Sequence, residues 1–453
     1  MRPRTPSLRR RAIAAALPLV ALVPPAHAQT APSGPQQVVR GPVATYWISA
    51  DTASGLGAMA GGGLGAMLGM MGGGAPQALR TLDLRLGSSR SPAGAPEAAH
   101  LIPASMGMGP QLPLLTPEAA RATPAPDAEP ALPGRMEQPK GRLLVFWGCG
   151  ERAGPGQPVV IDFSKVAAGQ PMPALVSRAP RLPRGPSPDA SRTYGAWPNE
   201  RDRSAVPAQA SLLGEHRVRG SYSPEIRFAV ERHDFMPPVA LEGATTPAGA
   251  RRLTWRPVAG ATGYFASAVG ASESGGGTDL VMWTSSAVQE TGGALGDFLP
   301  PGEVARLIRE RVALPPDRTE CTMPEEAARA MPQGMLTFTA YGDELNLAHP
   351  PRPADPKVPW DIEWAVKLRT RSSAMQPLGM LDATAGAGRG PAPAAASPAA
   401  ASPPGAEPRG DDAGTAPSAG ATPAPASPSG LPVEAVEQGV REGVRMLRGL
   451  IGR

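Results

Sequence analysis

The sequence is poor in the residues on which most enzyme and metal sites depend. Its 453 residues include only five histidines and two cysteines. No two of the histidines at positions 100, 216, 233 and 349 have the spacing of a zinc motif. The sequence also lacks a Gly-x-Ser-x-Gly nucleophile elbow, a phosphate-binding glycine loop and a dinucleotide fingerprint. We therefore predict a non-enzymatic protein with no cofactor and no metal.

An excess of one charge is also lacking once the first 28 residues are set aside. Residues 1–28 combine five arginines, the apolar run AIAAALPLVALV and an AHA cleavage pattern, which together predict a secretory signal peptide. The whole chain has 44 basic and 39 acidic residues, so the charges balance without those arginines. Nucleic-acid binding needs a concentrated basic surface, and we exclude that class. We expect a periplasmic or extracellular protein, either free or peripheral to the outer membrane.

No apolar run after the signal peptide predicts a transmembrane helix. The nearest candidate is GLGAMAGGGLGAMLGMMGGG, residues 55–74. Gly57, Gly61, Gly65 and Gly69 recur every four residues, as in closely packed membrane helices, although each glycine costs a helix about 1 kcal/mol. Three interpretations stay open: a mobile or membrane-contacting loop, a glycine-zipper helix, and a copper site built from methionine sulfurs.

The two cysteines, Cys149 and Cys321, have few possible roles. In an exported protein the simplest interpretation is a disulfide between them. The alternatives are two free buried thiols and a reactive Cys149 exposed on its Gly-Cys-Gly turn.

Aromatic residues are scarce, at 4% of the chain, and all of them lie between Tyr46 and Trp364. That interval contains short alternating or apolar segments bounded by Gly and Pro, which are typical of strands. We predict a mainly β fold with two β-sandwich-like domains, residues 41–168 and 216–375, joined by a proline-rich linker over 169–215.

One helix is predicted to interrupt the second domain. In PPGEVARLIRERV, Pro301 suits the first helical turn. Val304, Leu307, Ile308 and Val312 then form one apolar stripe at helical spacing.

Two segments of the second domain resemble strands of a fibronectin type III domain. They are LTWRPVAGATGYFASAVG, residues 253–270, and MLTFTAY, residues 335–341. The resemblance implies one shared core made of Leu253, Trp255, Tyr264, Val269, Met335 and Phe338. The strand order between the two segments stays open. FWGCGE and HPPRPADPKVPWDIEW also resemble an uncharacterised family of secreted bacterial proteins, which implies no particular activity.

The composition beyond residue 382 changes to Ala, Pro, Ser and Gly. Such a segment cannot bury enough apolar surface to offset its ordering entropy, so residues 384–430 are predicted to be a disordered tether. Residues 431–453 are predicted to form an amphipathic helix with Val436, Val440 and Leu447 on its apolar face. This helix can dock on the protein itself, bind a partner or lie on a membrane surface.

These patterns lead to two functional hypotheses. The first is an envelope protein that binds or scaffolds a partner protein or a membrane surface through residues 55–74 and the C-terminal helix. The second is a secreted hydrolase with its site around Glu231 and His233, which would share one face of a strand.

Overall fold

The computed structural model describes residues 37–58, 78–117, 141–178, 180–274 and 277–381. Within these residues the fold is mainly β with few helices, as predicted. The strands are β1 Val39–Arg40, β2 Ala44–Gly55, β3 Leu79–Ser88, β4 Ala98–Leu101, β5 Gln111–Pro113, β6 Arg142–Trp147, β7 Val159–Asp162, β8 Thr193–Trp197, β9 Gly214–Gly220, β10 Ile226–Val230, β11 Leu241–Thr245, β12 Arg251–Trp255, β13 Gly263–Ser274, β14 Gly277–Thr284, β15 Glu320–Met323, β16 Met335–His349, β17 Trp360–Asp361 and β18 Trp364–Pro377. The helices are α1 Phe163–Ala167, α2 Pro301–Arg309 and α3 Glu325–Ala330. The predicted signal peptide, the tether and the C-terminal helix lie outside the described residues.

A nine-stranded sheet organises the molecule, in the order β7-β6-β14-β13-β16-β18-β2-β3-β8. Most neighbours are antiparallel, but β18 runs parallel to β2, and β14 runs parallel to β6. A four-stranded sheet, β10-β9-β4-β5, and a three-stranded sheet, β11-β12-β15, complete the layers, and β1 pairs with β17.

The strands do not divide at the predicted domain boundaries. Strand β18 belongs to the predicted second domain, yet it pairs along twelve residues with β2 of the predicted first domain. The backbone hydrogen bonds of β2 and of β6 are completed by β18 and β14, two strands of the predicted second domain. The prediction of two separate domains, residues 41–168 and 216–375, is therefore wrong, because both segments contribute strands to one shared sheet.

Two sandwich-like regions nevertheless exist side by side on one face of the large sheet, which we call the front face. In the first sandwich the four-stranded sheet packs on β2, β3 and the start of β18, around Tyr46, Leu84 and Phe228. In the second sandwich the three-stranded sheet packs on β13, β14 and β16, around Trp255 and Phe338.

The long strand β16 contributes to both cores because it changes register. Leu336 and Phe338 belong to the second core, whereas Leu345 and Leu347 pack on the first. Side chains alternate along a strand, so residues of even and odd number would normally face opposite sides. An irregularity between Tyr341 and Glu344 shifts the alternation by one. Such a β-bulge re-aims side chains and keeps both apolar sets on the front face.

The predicted helix α2 lies on the opposite face, which we call the back face. Pro301 occupies its first turn, and Val304 and Leu307 are fully buried against Phe265 and Tyr341 of the sheet. The stripe predicted from sequence is thus the buried stripe, although Ile308 is only partly buried.

The predicted linker also covers the back face. Strands β7 and β8 form the two edges of the nine-stranded sheet, and the chain between them crosses its width. We call this crossing segment, residues 168–178 and 180–192, the strap. Glu290 binds the backbone N–H of Arg178 through Oε2 at 2.6 Å, and Glu303 binds that of Arg181 at 2.9 Å. The predicted linker, residues 169–215, thus contains both the strap and strand β8.

Polar and aromatic side chains fill the back face near the strap. The Arg369 guanidinium lies 4.9 Å from the Trp47 ring centroid and 4.6 Å from that of Phe298. Its Nε donates to Ser49 Oγ at 2.8 Å. Burial lowers the pKa of Arg369 from its usual value. This face is therefore held by cation–π contacts and hydrogen bonds as well as by apolar packing.

Candidate interaction surface

The Gly/Met segment leaves the body at one end of the large sheet. Strands β2 and β3 are antiparallel neighbours, with Ala53 opposite Leu79. This confirms that residues 55–74 connect two neighbouring strands. Of the predicted interaction glycines, Gly57 is described, and a Cβ added there would lie 3.7 Å from the Met375 Cβ. Gly61, Gly65 and Gly69 lie outside the described residues, so the choice among loop, helix and copper site stays open.

The C-terminal segment leaves the body at the same end. Met375 pairs with Gly55 in the β18–β2 ladder, and the described chain ends at Leu381. Leu378 and Leu381 are buried in the second core, whereas Met375 is 38% and Met380 52% exposed. We call this end of the large sheet, with Gly57 beside Met375 and with Met380 in the turn that follows β18, the exit corner. Two exposed methionines lie there, and the described chain then ends at Leu381, which packs against Gly243 of β11; Val436, Val440 and Leu447 lie outside the described residues.

A disulfide joins Cys149 and Cys321, and their Cα atoms are 5.0 Å apart. Cys149 follows β6, at one side of the large sheet, and Cys321 lies on β15 in the facing three-stranded sheet. Cys321 is buried in the second core, with Cys149 packed against it. The bond therefore ties the two layers of the second sandwich together across 172 residues of sequence.

The pair proposed for hydrolysis does not form the expected arrangement. Strand β10 ends at Val230, so Glu231 and His233 lie beyond the strand that was expected to align them. Glu231 is exposed, and His233 instead approaches Asp343, with Nε2 3.6 Å from Oδ2. Within the described residues, no serine or threonine hydroxyl hydrogen-bonds to His233. The prediction that Glu231 and His233 share a strand face is wrong.

The structure also contains a buried hydrogen-bonded chain that the sequence analysis missed. Tyr46 Oη lies 2.9 Å from His100 Nδ1, and His100 Nε2 lies 2.9 Å from His216 Nδ1. His216 Nε2 lies 2.7 Å from the carbonyl oxygen of Leu212. Tyr46 comes from the large sheet, whereas His100 and His216 come from the four-stranded sheet, so the chain joins both layers of the first sandwich.

Hydrogen-bond chemistry determines the direction of this chain. A carbonyl oxygen only accepts, so His216 donates its Nε2–H to Leu212. In a neutral His216 the Nδ1 atom then accepts from His100 Nε2–H, and His100 Nδ1 accepts from the Tyr46 hydroxyl. Burial is the main cause that lowers the pKa of both histidines, and the charge of His216 lowers the pKa of His100 further. When both histidines are neutral, every ring nitrogen and the Tyr46 hydroxyl hydrogen have a partner, which is typical of a structural network.

The fibronectin-like core prediction is correct for four of its six residues. Leu253, Trp255, Tyr264 and Phe338 are buried in the second core. Val269 and Met335 are only partly buried and lie outside that cluster. On β13 and β16 the core positions are Ala268 and Leu336 instead, one residue away, because adjacent strand residues face opposite sides.

Metal ligands, membrane-spanning helices and related proteins are the remaining indicators of function. No cluster of three or more His, Cys, Asp or Glu side chains suited to a metal ion occurs there. Every helix in those ranges is too short or too polar to span a lipid bilayer. No protein-family model matches the chain, and no significant match was found among curated proteins or solved structures.

Proposed function

We propose that this is an exported, non-enzymatic binding or scaffolding protein of the cell envelope that attaches through its exit corner. The observation that carries the proposal is the position of the two predicted interaction segments. In the Gly/Met segment the described residues end at Ala58, close to Met375, and those before the C-terminal segment end at Leu381, six residues after Met375; Met375 and Met380 are exposed at this end of the chain. Two apolar segments that start from one corner can bind a single partner together.

The chemistry of the exit corner favours an apolar partner surface. Met375 and Met380 are flexible thioether side chains, and methionine is common on surfaces that adapt to varied apolar partners. The charges of the chain balance without the signal peptide, so long-range attraction of one sign is not available to the whole molecule. The partner is an envelope protein or a membrane surface, contacted mainly through apolar burial.

The proposal of a binding module also draws on the resemblance of residues 253–270 and 335–341 to strands of fibronectin type III domains. Strands β11, β12 and β15 form one layer, and β14, β13, β16 and β18 form the facing layer. The first segment, residues 253–270, contributes β12 to one layer and β13 to the other, and Leu253 and Trp255 share a core with Tyr264 and Phe338. A disulfide-linked sandwich of this kind is a rigid support for the exit corner. The hydrolase alternative loses its main geometric argument, because Glu231 does not face His233.

Site-specific photocrosslinking tests the proposal directly. A photoreactive amino acid is placed at Met375 or Met380 in the full chain, expressed in a bacterial envelope. Met172 is the matched control, because it is a methionine of similar exposure, 41%, on the strap. We expect crosslinked products of defined mass, or lipid adducts, from positions 375 and 380 but not from 172. Equal products from all three positions would contradict the proposal.

Two deletions separate the contributions of the segments. One variant lacks residues 384–453, and the other replaces residues 59–74 with a short Gly-Ser linker. We expect both to fold, as judged by an unchanged thermal unfolding midpoint, and to lose envelope association in fractionation. If both fold and still fractionate and crosslink like the intact protein, the proposed attachment is wrong.

A further inference from the structure

A cleft of about 400 Å³ opens on the back face where the strap passes over β2 and β3. Its volume lies within the usual range of about 300–1,000 Å³ for small-molecule sites. The cleft lies at the opposite end of β2 from the exit corner, because its lining includes the residues that begin β2 and end β3. It is therefore separate from the surface proposed for attachment.

The cleft carries positive charge without compensation. Arg184 and Arg192 line it, and no aspartate or glutamate does. The Arg192 Nε donates to Ser91 Oγ at 2.6 Å, and its backbone N–H binds Ser88 O at 3.0 Å, so this arginine is anchored with its terminal nitrogens still available. Arg184 makes no side-chain hydrogen bond or ion pair within the described residues. Two guanidinium groups at one cleft favour an anionic ligand.

Two hydroxyl groups add further hydrogen-bonding capacity. Thr45 is on the back face, because its neighbour Tyr46 points into the front core, and it stands opposite Gly87 in the β2–β3 ladder. Ser191 lies directly over Gly87, since a Cβ added to that glycine would be 2.3 Å from Ser191 Oγ. Neither the Thr45 nor the Ser191 hydroxyl bonds to another described residue. Both line the cleft and can donate to an oxyanion.

Hydrogen bonds fix the strap on both sides of the cleft, and so hold the strap residues that line the cleft in place. Before the cleft it is fixed by Glu303 at the backbone N–H of Arg181, and after the cleft by Ser88 at that of Arg192. Between these points Gly185 lies against Trp47, where an added Cβ would be 2.7 Å from ring atom Cε3. A cleft that is fixed on both sides pays less ordering entropy on binding than a free loop.

We propose that this cleft binds a small molecule bearing a carboxylate or phosphate group. Arg184 and the terminal nitrogens of Arg192 donate charge-assisted hydrogen bonds to the anion, and Thr45 and Ser191 donate from the sheet side. Pro186 forms part of the wall and provides apolar contact for the rest of the ligand. A carboxylate and a phosphate both present two oxygens that can accept a pair of parallel hydrogen bonds from one guanidinium group.

Isothermal titration calorimetry on the purified full chain tests the site, with citrate and inorganic phosphate as separate probes at equal ionic strength. The test variants are Arg184→Gln, Arg192→Gln and the double variant. Arg201→Gln is the matched control, because Arg201 is an exposed arginine outside the cleft with no side-chain partner among the described residues. Thr45→Val tests the hydroxyl with nearly constant shape. Quenching or enhancement of Trp47 fluorescence, measured against Trp47→Phe, reports ligand next to the strap.

We expect saturable binding of at least one probe, weakened about tenfold or more by each arginine substitution and unchanged in Arg201→Gln. Binding of citrate alone identifies a carboxylate ligand, and binding of phosphate alone identifies a phosphate ligand; either supports the proposal. No binding of either probe up to about 10 mM overturns it. Equal binding by the double variant and Arg201→Gln, with all variants unfolding at the same temperature, also overturns it.

Discussion

Acidification should destabilise the first sandwich through its buried chain of Tyr46, His100 and His216. The pKa of both histidines is lowered in the native state, chiefly by burial. In an unfolded chain the pKa of histidine is about 6.5. Below that pH the histidines bind protons in the unfolded state but stay neutral in the native state. The free energy of unfolding therefore falls as the pH falls, and this contribution is fully present only above the unfolded pKa.

The magnitude follows from proton linkage. A histidine that stays neutral in the native state loses about 1.4 kcal/mol of stabilisation between about pH 7.5 and about pH 5.5. Two such histidines lose about 2.7 kcal/mol, which is the upper limit for this pair. That is a large part of the roughly 5–15 kcal/mol by which native proteins are stable. Protonating either ring would also reverse the bond to Tyr46, because the tyrosine oxygen would then accept from His100 Nδ1–H and its own buried hydroxyl hydrogen would lose its acceptor.

Chemical denaturation at several pH values is the assay. His100→Phe keeps the ring beside Phe228 but removes one titrating group, so its pH dependence over this window should be smaller than wild type by about 1.4 kcal/mol. The absolute stability of the variant also falls at every pH, because His216 Nδ1 loses its donor. His349→Gln is the matched control, because it changes an exposed histidine that is not part of the hydrogen-bonded chain of Tyr46, His100 and His216. If wild type and His100→Phe lose equal stability between these pH values, the buried pair does not titrate as argued.

Three further predictions concern the second sandwich and the strap. Truncation of Trp255 to Ala should cost about 3–5 kcal/mol in urea denaturation, because this side chain is 4% exposed; an unchanged midpoint would contradict its place in the core. Replacing Cys149 and Cys321 with Ser should lower stability by about 2–5 kcal/mol, and two titratable thiols in the unreduced, denatured protein would refute the bond. Gly87→Ala should lift the strap, since the new Cβ would meet Ser191 Oγ at 2.3 Å; limited proteolysis should then cleave residues 184–191 faster while the far-ultraviolet spectrum stays β-rich.

Local patterns in the sequence were sufficient for many individual elements. The β2 and β3 segments alternate or cluster β-forming residues, and they pair as neighbouring strands. The α2 segment combines an initial proline with an apolar stripe, and the same residues are buried. Trp255 and Phe338 were expected in one core, and their ring centroids are 4.7 Å apart. These features depend on residues close together in the chain, where periodicity and turn chemistry act directly.

The candidate sites were less predictable because they combine distant residues. His100 and His216 are 116 residues apart and show no motif, yet they are hydrogen-bonded. A weak signal did exist for His216, which lies between the charged residues Glu215 and Arg217 and shares its strand face with Val218. The cleft depends on Arg184 and Arg192, which lie in the segment predicted to be a proline-rich linker. Their position at a cleft results from the sheet beneath them and not from the local sequence.

The sequence by itself determined the class of the fold and the composition of its elements: short strands, one apolar-striped helix and a proline-rich segment without a packable face. Tertiary structure alone decided which strands became neighbours. The pairing of β18 with β2 joins residues about 320 positions apart, and no local pattern encodes such a partner. Parallel strands need no turn between them, so the sequence carries no hairpin signal for this contact. The long-range pairing merged two expected domains into one sheet and turned an expected linker into a strap, because a chain that connects opposite edges of a sheet must cross one of its faces.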